Sequence, residues 1–476
     1  MRLTDLQDLR VAVWGYGREG RAAVLALRRR FPQKTFTLFC SEAEAVAVGA
    51  DAELQVAAPA VGAAPSPPAT LDVVVHAPDA AALARFDVVI KSPGISPYKP
   101  PYPEAAALGV RFTSGSALWF AQRGDARTIC VTGTKGKSTV SALIAHLLRA
   151  HGRRVALAGN IGLPLLELLD AGGPDGGAAV DCWVIELSSF QTRDFDGAPT
   201  VAVINNVFEE HLDWHATQAN YVADKLAIAA RARRVVVNGT QAALAGVGSA
   251  AQRSEFNVRT GWHVHDDAIW RGDARVLALA PLPLPGRHTA DNVCAALAAI
   301  EAVGEDATAC AAHVATFEPL PHRLQTLGAR DGIDFVNDSI STTPYAAIEA
   351  LRSLDAREVT ILVGGFDRGV SWQQFAAYVD AHPPHAVVAM GANRDVIATA
   401  LRAIGQHEFI FDSVPTLVEA FARARALARA GGVVLLSPGA PSFDQFRDYA
   451  ERGREFARLA GFDAKGIARI EGLGIA

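Results

Sequence analysis

Lys137 follows two glycines and precedes two hydroxyls in Gly133-Thr134-Lys135-Gly136-Lys137-Ser138-Thr139, and residues of these types at this spacing bind phosphate. Glycines let the main chain turn so that successive N–H groups face one point. A lysine ammonium reaches the outer phosphates, and a serine or threonine hydroxyl ligates Mg²⁺. The strict pattern G-x-x-x-x-G-K-[ST] is not met, because Val131 stands five positions before Gly136. The competing reading is a plain strand-to-helix turn with a surface lysine. The flanks weigh against it: strand-like Thr128-Ile129-Cys130-Val131 runs in, and Ser141 to Leu148 follows with helical apolar spacing. That order points the positive end of a helix dipole at the turn.

Further chemistry-bearing residues lie downstream. Glu186 ends the apolar run Asp181-Cys182-Trp183-Val184-Ile185. An acid at the carboxyl end of a buried strand beside a phosphate turn is where Mg²⁺ needs an oxygen ligand. An exposed carboxylate at a strand end is the alternative. His211 alone is an ordinary loop histidine; beside Glu186 it becomes a candidate ligand of a second metal, since two metals can clamp a transferring phosphoryl group. Lys225, on the amphipathic stretch Tyr221 to Ile228, reads as a surface lysine.

Upstream, Val11 to Trp14 leads into Gly15-Tyr16-Gly17-Arg18-Glu19-Gly20 and a helical stretch, the order of a Rossmann-type phosphate turn. Cys40 ends the next strand where a dinucleotide enzyme usually has an acid, and Glu42 comes two residues later. A nicotinamide ligand therefore does not follow. Another nucleotide diphosphate fits as well, and a purely structural turn stays open. The turn Ser92 to Ser96 closes another buried strand, at the end of an open α/β sheet where ligands sit.

The elements that position these residues alternate between strand and helix. The chain has 476 residues, 50% of them hydrophobic, which predicts more than one domain. We expect an α/β protein of three domains. Residues 1–123 form a Rossmann-like domain, 124–325 a central P-loop-type ATPase domain with a parallel sheet, and 326–476 a second Rossmann-like domain. Four strands are read in the last, ending near Asp338, Gly364, Gly391 and Ser437. A net charge of −5 leaves no electrostatic footprint for nucleic acid. Arg28-Arg29-Arg30 reads as the solvated last turn of a helix. Five scattered cysteines suit a reducing cytosol. The polar N-terminus is no signal sequence, and no apolar run reaches spanning length, so no membrane insertion is expected.

Taken together, Gly133 to Thr139, Gly159-Asn160-Ile161-Gly162, Glu186 to Gln191, Asn206 to Asp213 and Tyr221 to Lys225 resemble the Mur ligases of peptidoglycan synthesis. The match continues through Gly286 to Asn292 and Phe317 to Arg323. Asp338 to Thr343 and Ser437 to Phe446 resemble the glutamate-adding (MurD) branch. The resemblance implies an ATP- and Mg²⁺-dependent ligase joining glutamate to UDP-N-acetylmuramoyl-L-alanine through an acyl phosphate, a cytoplasmic monomer serving cell-wall growth and division. It implies ATP contacts from Gly133, Thr134, Lys135, Gly136, Lys137, Ser138, Thr139, Asn292, Arg323 and Asp338. Metal contacts would come from Ser138, Thr139, Glu186, His211 and a carbamylated Lys225, with Lys137, His211 and Lys225 catalytic. The UDP-substrate would meet Gly17, Arg18, Glu19, Ser41, Gly94, Asn160, Ser188 and Gln191, and glutamate would meet Thr342, Arg368, Ser442 and Tyr449.

Departures from the family pattern are Thr289 where an asparagine is usual, and three changes around the amino-acid site. Ile340 and Arg368 each stand for a lysine, and Tyr449 for a phenylalanine. Replacing one cation and removing another changes how two carboxylates are held, and the resemblance is to the variant that adds L-glutamate. The same reaction with D-glutamate is the alternative. A folylpolyglutamate synthase-like ligase, a nicotinamide dehydrogenase and a nucleotide-binding assembly protein with decayed chemistry are the other readings.

Overall fold

The computed structural model describes residues 1–55, 71–170, 179–208, 212–280, 287–354, 357–367, 369–405, 408–464 and 473–476. Strands β1 (Val11–Trp14), β2 (Phe36–Phe39), β3 (Leu71–Val74), β4 (Val88–Lys91) and β5 (Arg111–Thr113) form a parallel sheet in the order β3-β2-β1-β4-β5. The chain reverses direction of travel between β1 and β4. The turns after those two strands therefore flank the crevice where such sheets take ligands. The helix Arg18–Arg30 starts directly after the first of them and ends in Arg28, Arg29 and Arg30, as expected.

A second sheet is built from β6 (Thr128–Thr132), β7 (Val155–Gly159), β8 (Cys182–Glu186), β9 (Val201–Ile204), β10 (Arg234–Asn238), β11 (Arg253–Phe256), β12 (Trp262–His265), β13 (Ala268–Arg271) and β14 (Ala274–Ala278). Strands β6 to β9 are buried along their whole length, which requires the near-continuous apolar runs the sequence carries. β6 lies between β8 and β9 in parallel register, with Val131 opposite Glu186 and Thr132 opposite Ile204. This second switch point puts the Gly133–Thr139 turn at the ligand-binding end of the sheet. The hairpins β12 to β14 extend it in antiparallel fashion.

The third sheet holds β15 (Gln325–Arg330), β16 (Ile333–Asn337), β17 (Val359–Gly364), β18 (Ala386–Met390), β19 (Ile410–Val414) and β20 (Val433–Leu436) in the order β15-β16-β20-β17-β18-β19. It contains the four strands read from sequence and two that were not, β15 and β19. The chain ends in β21 (Gly474–Ile475), which pairs antiparallel with β7 at the edge of the second sheet. Contacts divide the chain into two compact units. One comprises 1–282, 290–317 and 472–476 and carries the first two sheets; the other comprises 283–289 and 318–471 and carries the third. No helix among the described residues is long and apolar enough to cross a membrane.

Candidate nucleotide and phosphoryl-transfer site

The Gly133–Thr139 turn is held open by its own backbone and by three neighbouring side chains. Gly133 and Gly136 take φ of 153° and 79°, and a Cβ on Gly136 would come within 2.4 Å of Asn205 Nδ2 and 2.5 Å of Asn292 Oδ1. Only glycine serves there. Gly136 is the N-cap of the helix Lys137–Ala150 and has no side chain of its own to cap it. The positive end of this helix faces the turn, an arrangement that suits an anion. Asn206 Oδ1 accepts from the Lys135 amide at 2.7 Å, while Asn205 Nδ2 and Asn206 Nδ2 donate to the Lys135 carbonyl at 3.0 and 3.1 Å. The Thr134 hydroxyl lies 2.6 Å from the Tyr221 hydroxyl. Sequence reading assigned no role to Asn205, Asn206 or Tyr221. The available signal was a polar pair closing an otherwise apolar strand.

Lys137 Nζ donates to Thr134 O at 2.9 Å, folded back over the turn it would serve. Ser138 is buried in the first helical turn and Thr139 is half-buried. Lys225 corrects the surface reading: it is 2% exposed, stacks 4.9 Å above the Tyr221 ring, and donates from Nζ to Gly133 O at 2.9 Å. A lysine four residues after Tyr221 shares its helix face, and that face packs on the turn rather than on water. Asn292, buried, accepts at Oδ1 from Asn205 Nδ2 at 2.9 Å and so lies against the turn itself.

Glu186 is 1% exposed at the end of β8. Its Oε1 accepts from Asn160 Nδ2 at 2.7 Å, and its Oε2 is buried with no hydrogen-bond partner among the described residues. A buried carboxylate oxygen without a donor fits a cation ligand. The donor set therefore suits Mg²⁺, whose remaining ligands would be the hydroxyl of Ser138 or Thr139, phosphate oxygens and water. Among the described residues no three His, Cys, Asp or Glu side chains gather at one point. His211 lies outside the described residues.

In the same unit a cavity of about 550 Å³ opens at the carboxyl ends of β1, β2 and β4, lined among others by Gly17, Arg18, Glu19, Ser41 and Gly94. Asn160, Ser188 and Gln191 are not in its wall. Asn160 is engaged on Glu186, and Ser188 caps the helix Ser189–Arg193 reciprocally with Gln191. Gln191 reaches back, donating from Nε2 to Glu19 Oε1 at 3.0 Å. Burial pushes the Glu19 carboxyl up to about 7, helped by Glu167 and opposed by Arg18 and Gln191.

In the other unit, Asp338 follows β16 directly, accepting from the Leu324 amide at 3.2 Å and the Ser437 hydroxyl at 2.7 Å. Arg323 lies in a turn whose neighbours His322 and Leu324 have φ of 62° and 44°, a left-handed backbone unusual for such side chains. Thr342 is half-buried after β16, Ser442 is buried after β20, and Tyr449 opens the helix Tyr449–Leu459, its carbonyl accepting from Ser339 Oγ at 2.7 Å. Arg368 lies outside the described residues.

Residues 131–300 match the Mur ligase middle domain, and residues 322–439 match the Mur ligase glutamate ligase domain. Over the whole of both chains, the sequence is 49% identical to a UDP-N-acetylmuramoyl-L-alanine–L-glutamate ligase of Xylella fastidiosa and 48% identical to one of Xanthomonas euvesicatoria. Among solved structures, MurC of Thermotoga maritima superposes with a TM-score of 0.59 at 18% identity, covering 95% of this chain and 99% of that one. MurF of the same organism in complex with ADP gives 0.55 at 15% identity, covering 92% and 96%. At such identities the structural likeness speaks for the fold.

Proposed function

The chain belongs to the Mur ligase family, and on that premise we propose that it uses ATP to join glutamate, as the L enantiomer, to UDP-N-acetylmuramoyl-L-alanine in the making of peptidoglycan precursors. The observation that carries the reading is Glu186 Oε2, buried without a hydrogen-bond partner among the described residues, on the strand end adjoining the glycine turn that opens the helix at Gly136–Lys137. We assign the nucleotide sugar to residues 1–123, ATP to 124–325 and glutamate to 326–476. The reaction sits in the cytoplasm, in keeping with five buried cysteines of which none forms a disulfide.

The phosphates of ATP lie on the Gly133–Thr139 turn, where main-chain N–H groups and Lys137 Nζ, released from Thr134 O, offset their charge. When bound at Glu186 and Ser138 or Thr139, Mg²⁺ supplies further neutralisation of the transferring phosphoryl group. Lys225 joins that set only as a carbamate, because an ammonium has no oxygen to offer. A carboxylate oxygen of the muramoyl-alanine attacks the γ-phosphorus and ADP leaves. The glutamate amine then attacks the acyl carbon. A C–N bond forms, the C–O bond to phosphate breaks, phosphate departs, and the amine proton passes to solvent. The UDP end occupies the 550 Å³ cavity above Gly17, Arg18 and Glu19 at a helix N-terminus. Thr342, Ser442, Tyr449 and Arg368 receive glutamate.

Support for the L enantiomer comes from the full-length relatives and from Ile340 and Arg368, which redistribute cations around the amino-acid site. The test is phosphate release with UDP-N-acetylmuramoyl-L-alanine and each glutamate enantiomer separately, with a folate as control acceptor. Release with L-glutamate is expected. Release with D-glutamate alone overturns the stereochemical assignment, and release with neither overturns the ligase.

A further inference from the structure

Between the cavity wall and the phosphate turn runs an unbroken set of side-chain contacts that the chemistry above does not use. Trp214 Nε1 donates to the carbonyl of Gly94, a cavity-lining residue, at 3.0 Å, and Ser96 Oγ donates to Trp214 O at 2.5 Å. The adjacent His215 is fully buried. Its Nε2 lies 3.0 Å from Ser189 Oγ and its Nδ1 lies 2.7 Å from Asp224 Oδ2. The Tyr98 hydroxyl, at the far end of the Gly94 loop, meets both oxygens of Asp224 at 2.8 and 2.9 Å. Arg193 Nε stands 3.3 Å from Oδ1, and Lys91 with Asp194 forms a second buried pair at 2.5 Å beside it.

Asp224 is therefore a buried carboxylate held from three different segments: it is hydrogen-bonded to Tyr98 of the Gly94–Tyr98 loop and to His215 at the end of the helix Leu212–His215, and ion-paired with Arg193 at the end of the helix Ser189–Arg193. The next residue along the helix Gln218–Leu226 is Lys225, whose Nζ holds Gly133 O at 2.9 Å, and one turn back Tyr221 holds Thr134. Consecutive helical side chains point about 100° apart, so one short helix grips the cavity loop with one side chain and the phosphate turn with the next. Withdrawing Tyr98 leaves a buried carboxylate short of a donor, which is costly. The loop and the helix consequently hold one another in place.

We infer that Asp224 is a positioning residue that couples the two nucleotide sites. A uridine nucleotide that fixes the Gly94–Tyr98 loop fixes Lys225 and Tyr221 against the phosphate turn, and the adenine nucleotide then binds more tightly. The inference rests on the assignment of the cavity to a uridine nucleotide. Its readout is binding, not turnover.

The experiment measures the Kd of ADP by titration calorimetry, in Mg²⁺ buffer, with and without saturating UDP, and the Kd of UDP with and without ADP. The intact protein is expected to bind each about five- to tenfold more tightly in the presence of the other, the same factor in both directions by linkage. In Tyr98→Phe and in Asp224→Asn the factor falls below about two, while each nucleotide alone stays within about threefold of the parent. Equal affinities with and without the second nucleotide in the parent, or full coupling kept in Tyr98→Phe, overturn the inference. Tyr98→Phe removes only a half-buried hydroxyl and decides the matter if Asp224→Asn unfolds. A parent that ligates glutamate but shows no coupling sinks this inference alone. One that couples but does not ligate supports it and sinks the ligase.

Discussion

Glu186→Gln separates what this carboxylate does for the fold from what it does for chemistry, because the two effects have opposite signs. The side chain is 1% exposed, with Oε1 satisfied by Asn160 and Oε2 buried without a partner among the described residues. Glutamine keeps the shape and keeps an acceptor for Asn160. It replaces an unpaired, charged oxygen by a neutral amide that is cheaper to bury, although its N–H groups gain no acceptor there. An unsatisfied buried polar group costs about 1–3 kcal/mol and a charged one more, so the nucleotide-free variant should be more stable than the parent by about 1–2 kcal/mol. The same change removes the anionic oxygen offered to Mg²⁺, and losing one such electrostatic partner lowers turnover by about a hundredfold to a thousandfold. Chemical denaturation without nucleotide gives the first number, and glutamate-dependent phosphate release gives the second. A variant less stable than the parent shows that Oε2 already has a partner in the resting protein. One that keeps more than about a tenth of the activity shows that the oxygen is not a ligand.

Glu19 gives a pH signature. Its carboxyl is raised from 4.5 to about 7 in the fold, so on raising pH the unfolded chain loses that proton first. Stability from this group is full below pH 4.5 and is lost as pH rises towards 7. Glu19→Gln should be more stable than the parent at pH 8 by about 1–3 kcal/mol and equal to it at pH 4; urea midpoints at the two pH values check it, and equal differences at both refute the assignment. Lys137→Ala should lower glutamate-dependent phosphate release by about a thousandfold, since its Nζ, donating to Thr134 O at 2.9 Å, is the cation placed over the phosphate turn. Unchanged turnover there dismisses the phosphate turn. Gly136→Ala should destabilise the protein by about 1–3 kcal/mol, because its φ of 79° and the two asparagines within 2.5 Å leave no room for a methyl. It should also weaken ADP binding measured by calorimetry, and a variant that binds normally refutes the geometry of the turn.

Much of the fold was legible because parallel strands buried on both faces must be written as continuous apolar runs, and β1, β4, β6, β8, β9 and β17 are. The helix–turn order around Gly133 was legible for the same reason. Strands β11 to β14, β15 and β19 were not, since their faces are partly exposed and their runs are broken by charged residues such as Arg253, Arg275 and Asp412. At the site, Lys137 declares itself at the start of the helix that follows the glycine turn and Glu186 at the end of a strand. Lys225 does not, because nothing local says which face of an amphipathic helix meets a glycine carbonyl 92 residues away in sequence. The contacts of Asp224 with Tyr98, 126 residues apart, exist only once the chain is folded. The nicotinamide reading of Gly15–Gly20 gives way to family membership, and Cys40, which lines the cavity, is the residue that points away from it.

The pairing of β21 with β7 has a consequence for how molecules of this protein meet one another. Val155 to Gly159 is an apolar segment at the flank of a ten-stranded sheet, and its outward main chain would otherwise be a template onto which any extended peptide could add. Gly474 and Ile475 occupy that place, with Ala476 N and O bonded to Val155 O and N at 3.2 and 2.8 Å and Arg149 clasping Gly474 O at 3.0 Å. A strand two residues long thus stands at this flank in place of a longer apolar one, and an edge that short offers a neighbour little main chain to pair with.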